Sequence, residues 1–225
     1  MTLIIARPSI ELPLLDNIEA SIQKSKDLGA DWIELYVRRT ADGLAAVCHN
    51  AHLSDGRPVS SVRAEELPPY VPNLLEVLEV CSDMGVAIQV RNLPEDPDFD
   101  QDNIAALAVA GLVGAYLGSE QVVVSSYNID DVNRVQAEDP TIPVALVCGF
   151  VEPAWALRRA LDHEMSAVHV YENMCTPPFV EYAHEDGLEV WVRVVNEAEK
   201  MVKLVDMGID GIVTDYPDIA RATIG

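Results

Sequence analysis

The sequence predicts an α/β fold of the (β/α)8 barrel type, with a doubly wound open sheet as the structural alternative, on three observations. Short β-branched runs alternate with amphipathic stretches along the whole chain of 225 residues. Eight such runs give one strand every ~28 residues, the spacing of a barrel of eight strand–helix units. Several helical stretches also end in a glycine just before the next strand, where glycine takes a left-handed cap position at little steric cost.

Taken in order, the first strand is Leu3–Ala6, followed by a helix over Asn17–Leu28 with Ile18, Ile22, Ser25 and Leu28 on one side. The second strand is Trp32–Val37. Ala51–Tyr70 then breaks the rhythm with turn residues (Ser54-Asp55-Gly56-Arg57-Pro58) and reads as an excursion over the barrel mouth. A helix over Asn73–Met84 leads to the third strand, Val86–Arg91. Pro94–Asp102 carries five acidic residues and two prolines and reads as a solvated loop. The remaining strands are Gln121–Ser126, Val144–Gly149, Ala167–Tyr171, Glu189–Val194 and Gly211–Thr214, with a helix over Glu197–Met207. Gly29, Gly85, Gly187 and Gly208 are the glycines that follow helices. Residues 1–225 read as one domain, large enough to bury a sizeable core.

Composition removes several functions. The chain has 15 basic and 37 acidic residues, a formal net charge of −22. A surface that negative repels phosphate backbones and anionic lipid, so neither nucleic acid nor a membrane surface is an expected partner. No apolar run approaches the ~20 residues needed to span a bilayer. Cys48, Cys81, Cys148 and Cys175 lie far apart and form no C-x-x-C pair, which predicts reduced thiols and a cytoplasmic location.

Parity within the strands locates the chemistry. Ile33, Leu35 and Val37 share one face of the second strand, and Glu34 and Tyr36 the other. Ile88 and Val90 oppose Gln89 and Arg91; Val168 and Val170 oppose His169 and Tyr171; Val190, Val192 and Val194 oppose Trp191 and Arg193. The outer face of a parallel barrel buries against helices, so the aliphatic set faces out and the polar set faces in. Buried charge is costly unless it is paired or reaches solvent. Four strands with polar inward faces therefore predict a working mouth at the C-terminal end of the barrel.

Four segments carry a family resemblance: Leu28-Gly29-Ala30-Asp31-Trp32-Ile33-Glu34-Leu35; Arg39-Thr40-Ala41-Asp42-Gly43 leading to His49-Asn50; Val71-Pro72-Asn73-Leu74-Leu75-Glu76-Val77-Leu78; and Gly208-Ile209-Asp210-Gly211-Ile212-Val213-Thr214-Asp215-Tyr216-Pro217. In order and spacing the chain resembles the glycerophosphodiester phosphodiesterase family, whose fold is a phosphatidylinositol-phosphodiesterase-like barrel. Against that family the excursion after the second strand is shortened. The resemblance implies two acid–base histidines and a divalent cation held by three carboxylates. Here the first histidine position is Ala6, within Ala6-Arg7-Pro8, and the second is His49, followed by Asn50. Of the metal positions Glu34 remains, Tyr36 and Gln89 replace carboxylates, Arg91 replaces a lysine, and Arg193 stands where the family often has Trp.

Hard cations favour charged oxygen ligands. Losing two carboxylates and gaining Arg7, Arg91 and Arg193 predicts a degenerate site with no bound metal, no cofactor, and direct anion binding by guanidinium groups. The expected function is metal-independent acid–base chemistry, of isomerase, lyase or cyclase type, on a small anionic metabolite. The alternatives are a non-catalytic binder of such a metabolite and, more weakly, a residual phosphodiesterase. His49, Glu34 and Tyr36 are the expected catalytic residues, with Glu34 orienting His49 or raising its pKa. Arg7, Gln89, Arg91, His169, Tyr171, Trp191 and Arg193 are the expected substrate contacts.

Overall fold

The computed structural model describes residues 1–7, 18–81, 83–149 and 151–225. Two positions used above, Pro8 and Asn17, lie outside them. The parallel strands β1 (Leu3–Ala6), β2 (Trp32–Arg39), β4 (Gly85–Val90), β5 (Val122–Ser126), β6 (Val144–Val147), β7 (Ala167–Tyr171), β8 (Glu189–Arg193) and β9 (Gly211–Thr214) form the barrel. β1 pairs with both β9 and β2, which closes the ring and excludes the open sheet. The described helices are α1 (Ile18–Asp27), α2 (Leu74–Val80), α3 (Ile104–Tyr116), α4 (Ile129–Glu138), α5 (Pro153–Asp162), α6 (Pro177–Glu185), α7 (Ala198–Asp206) and α8 (Pro217–Ile224).

The expected alternation holds. Ile33, Leu35, Val37, Ile88, Val90, Val168, Val170, Val190 and Val192 join the core between strands and helices. Inward-facing Ile5, Ala87, Val123, Ala145, Ala167, Trp191 and Val213 form a second apolar cluster that fills the lower barrel, with Leu3 and Trp32 packed against it. Three of the four marked glycines, Gly29, Gly187 and Gly208, have the positive φ of a helix cap. Gly85 does not. It opens β4, and a Cβ there would lie 2.2 Å from the Trp32 ring, so glycine is required by packing rather than by a cap.

Three expectations need correction. First, β3 (Ala45–Val47) is an additional strand, paired antiparallel with β2 through Val37↔Val47 and Arg39↔Ala45. The turn Thr40–Gly43 contains Asp-Gly, a strong hairpin signal. Second, α2 stops at Val80. Its start is firm, because Asn73 accepts from the Glu76 amide while Glu76 accepts from the Asn73 amide.

Third, the acidic segment 94–102 is not simply solvated. Asp98 and Asp100 are only 8% and 5% exposed. Arg38, the next inward residue of β2 after Tyr36, binds Asp98 at 2.6 Å and Asp96 at 3.1 Å, and Arg39 lies 3.6 Å from Asp100. The backbone of Asp100 bonds to Asn92 in both directions, and Asn92 in turn donates to Asp131 of α4 at 2.9 Å. Leu53, Val59 and Val62 of the excursion 51–70, with Val71 just after it, form a separate apolar cluster with Ala46 of β3.

Asp131 gives this region a pH dependence. Burial outweighs the hydrogen bonds from Asn92 and Ser126 and raises its pKa from 3.8 to about 7. Between those values the unfolded chain has already lost the proton that the folded chain keeps. Stability from this group is therefore full below about pH 4 and is lost as pH rises toward 7. Relative to wild type, Asp131→Asn should remove ~2–3 kcal/mol of the stability decline between pH 5 and pH 7.5. Urea unfolding of both proteins at the two pH values measures this, and parallel declines would count against it.

Candidate active site at the barrel mouth

Inward residues of β2 (Glu34 and Tyr36), β4 (Gln89) and β8 (Arg193) meet inside the barrel. Glu34 and Arg193, 1% and 5% exposed, form a buried salt bridge at 2.9 Å. Arg193 also donates to Gln89 Oε1 and, at 3.1 Å, to the Tyr36 hydroxyl, which donates to Glu34 Oε2 at 2.6 Å. Burial, then the Glu34 charge, raises the Tyr36 pKa well above its ordinary value, so the phenol keeps its proton. Desolvation works against the Arg193 cation, but Glu34 and the neighbouring phenols outweigh it and raise its pKa.

His49 stands on the loop after β3. Its ring meets that of Tyr36 edge-on at 4.7 Å, and its Nδ1 lies 3.3 Å from Asn50 Oδ1. Its carbonyl accepts from Arg38 Nε at 3.0 Å, so the acidic segment that grips Arg38 also fixes the His49 backbone. Burial first, then the nearby charges of Arg91, Arg38 and Arg7, lowers the His49 pKa. That is the reverse of the expected rise from Glu34. The carboxylate is engaged by Arg193 and Tyr36, while Tyr36 and Asn50 orient the ring. His49 is therefore neutral at pH 7, with a nitrogen able to accept a proton.

The three arginines are not equivalent. Arg7 makes a two-pronged pair with Asp215, at 2.8 and 2.9 Å, and Asn196 braces that carboxylate at 2.7 Å. Arg193 is engaged with Glu34. Arg91 has no salt bridge among the described residues, its Nε is buried without a partner, and its guanidinium lies 5.8 Å from the Tyr127 ring centre. The expected surplus of positive charge thus reduces to Arg91, because reading the strands alone left Asp215 out.

The other expected contacts separate by depth. Tyr171 shares a 2.9 Å hydroxyl contact with Tyr127 and, with Glu172, Asn173, Arg193 and Val194, lines a cavity of about 500 Å³. Trp191 lies deeper, in the apolar floor, and donates to Glu189 at 3.0 Å. His169, 1% exposed, stacks on Trp191 at 4.7 Å. Neither His169 ring nitrogen has a partner among the described residues, and burial lowers its pKa to about 3. Sequence reasoning missed Arg38, Tyr127, Asp215 and Asn196. Arg38 and Tyr127 continue the inward parity of β2 and β5 just past the expected strand ends.

A divalent cation does not fit these residues. Among the described residues no three His, Cys, Asp or Glu side chains stand together as a metal site. Of the positions that the resemblance assigns to metal, Glu34 is already paired, Tyr36 stays protonated, and the Gln89 carbonyl faces a guanidinium. A hard cation would find one engaged carboxylate and a fixed positive charge.

Known proteins agree on the frame around this site. A glycerophosphodiester phosphodiesterase of Caldanaerobacter subterraneus is 27% identical over 240 residues, covering 96% of this chain and 95% of its own. A lysophospholipase D of Mus musculus is 25% identical, over 90% of this chain and 80% of its own. Among solved structures, a phosphodiesterase of Oleispira antarctica in complex with the product sn-glycerol-3-phosphate superposes with a TM-score of 0.85 at 21% identity, covering 100% of this chain and 97% of that one. None of these relatives is an isomerase, lyase or cyclase by name, so that expectation gains no support. The Glycerophosphoryl diester phosphodiesterase family model matches residues 11–219, nearly the whole length. The closed barrel and this match together make the chain a member of that family.

Proposed function

We propose that the chain binds phosphodiesters of the glycerophosphodiester class at the barrel mouth and hydrolyses them slowly, without a divalent cation. The observation that carries this reading is Arg91, which has no salt bridge among the described residues and whose charge is felt by His49, a histidine whose pKa burial lowers, on a barrel of this family. Guanidinium matches the geometry and charge of phosphoryl oxygens. Neutral His49 accepts a proton from the attacking water as the water oxygen bonds to phosphorus and the ester P–O bond to the departing alcohol breaks. Ala6 offers no acid to the departing alkoxide, which takes its proton from solvent. Turnover slower than in an enzyme with two acid–base groups follows from that gap.

Binding without turnover is the second reading, and Ala6 is the observation that favours it. Four free thiols support a cytoplasmic setting. The net charge of −22 counts against nucleic acid or an anionic membrane as partner, whereas a small anion needs only the local field of one arginine. Among the described residues no helix is long and apolar enough to cross a bilayer.

Calorimetry with glycerophosphocholine and with glycerol 3-phosphate tests the binding. Arg91→Ala should weaken either ligand by ~10–100-fold, the worth of one charge-assisted hydrogen bond. Release of glycerol 3-phosphate, followed with and without EDTA, tests the turnover, and the chelator should not change the rate. No binding of either compound sinks the proposal. Binding without release leaves the second reading in place.

A further inference from the structure

The residues at the metal positions do not fit a cation, yet they are not a collapsed remnant either, because one group contacts them all. Arg193 reaches across from β8 and bonds Glu34 from β2, the Tyr36 hydroxyl two residues along, and the Gln89 carbonyl from β4. These are the side chains that the family resemblance places around the metal. We infer that Arg193 is a built-in replacement for the divalent cation: a fixed guanidinium that gathers the three side chains and keeps metal out. The inference is independent of which ligand the mouth accepts.

Four physical features support the exchange. The guanidinium offers five N–H donors in a planar fork, so it can bond several oxygens at once. It carries its charge at every pH the protein meets. Its partners suit a hydrogen-bond donor rather than a hard ion, since two of the three oxygens are neutral: a hydroxyl that itself donates to Glu34 and an amide carbonyl. Finally, Arg193 is only 5% exposed, so it holds this position from inside the fold and is not a mobile surface residue. One resident charge of +1 matched to one carboxylate, Glu34, leaves no electrostatic demand for a second cation. Any incoming Ca²⁺ or Mg²⁺ would have to lose its water beside a guanidinium, which is unfavourable.

The consequence is that restoring carboxylates alone should not restore a metal site. The test compares wild type, the double variant Tyr36→Asp/Gln89→Glu, and the triple variant that adds Arg193→Met. Each is titrated with Ca²⁺ and Mn²⁺ by calorimetry and followed by its thermal midpoint, with EDTA as the blank. Wild type should show no binding heat and no midpoint shift at millimolar metal. The double variant should behave likewise, because Arg193 still holds the centre.

The triple variant should bind metal at least ~10-fold more tightly than the double, with a midpoint that rises on adding metal, as ligation of the native state requires. Two results overturn the inference without relying on the triple variant's folding. One is wild-type binding of either metal that disappears in Glu34→Gln. The other is micromolar binding by the double variant with Arg193 in place. Equal affinities in the double and triple variants would overturn it as well. None of these readouts involves the phosphodiester, so failure of the proposed activity and failure of this inference are separate events.

Discussion

Arg193→Met is expected to destabilise the fold by ~3–5 kcal/mol, the cost of leaving a buried charge without its partner. Glu34 would remain ionised or be forced to take up a proton, with only the Tyr36 hydroxyl still donating to it. The loss should be largest at neutral pH and shrink in acid as the orphaned carboxyl protonates. Adding Glu34→Gln to the same chain removes the stranded charge and should recover most of the stability. A urea series on wild type, the single variants and the pair gives the coupling energy directly. If the single variant loses less than ~1 kcal/mol, the pair behaves like a solvent-screened surface bridge and the buried picture of this site is wrong.

His49→Ala is expected to lower turnover of a glycerophosphodiester by ~10²–10⁴-fold, the usual worth of one general acid–base residue. Stability should change little, because the ring is partly exposed and its main contacts are with Tyr36 and Asn50. Ligand affinity should also hold, since Arg91 is the proposed anchor. As the base must be neutral and its pKa is lowered, the wild-type rate should be level from pH 7 upward and fall only in acid, below the usual histidine value. Tyr36→Phe should cost less than His49→Ala, as its hydroxyl bridges Glu34 and Arg193 and transfers no proton in this reading. Undiminished turnover in His49→Ala would remove His49 from the chemistry. His169 is a poor substitute, being buried, neutral and stacked below the mouth.

The barrel was legible because its signals are local. Alternation within β2, β4, β7 and β8 fixed which residues face inward, and the pairing registers place Tyr36 beside Gln89 and Tyr171 beside Arg193. The partners of those residues were less legible, because they come from distant segments. Asp215 meets Arg7 across 208 positions, and Arg193 meets Glu34 across 159. Counting charges along strands cannot say which arginine is already neutralised: of the three, Arg7 and Arg193 are paired with carboxylates, and Arg91 has no salt bridge among the described residues. The acidic segment 94–102 misled for the same reason. Its composition is that of a solvated loop, and only the fold brings Arg38 and Arg39 under it.

The apolar floor of the barrel has a kinetic consequence. Ile5, Ala87, Val123, Ala145, Ala167, Trp191 and Val213 close the lower interior, and Gly85 lets the Trp32 ring press against the first residue of β4. The interior is thus a blind well rather than a channel. Under the proposed function, and among the described residues, this closed floor would leave the mouth as the path for both substrate and product. If the proposed turnover occurs, product held at that mouth would inhibit by occupying the entrance itself.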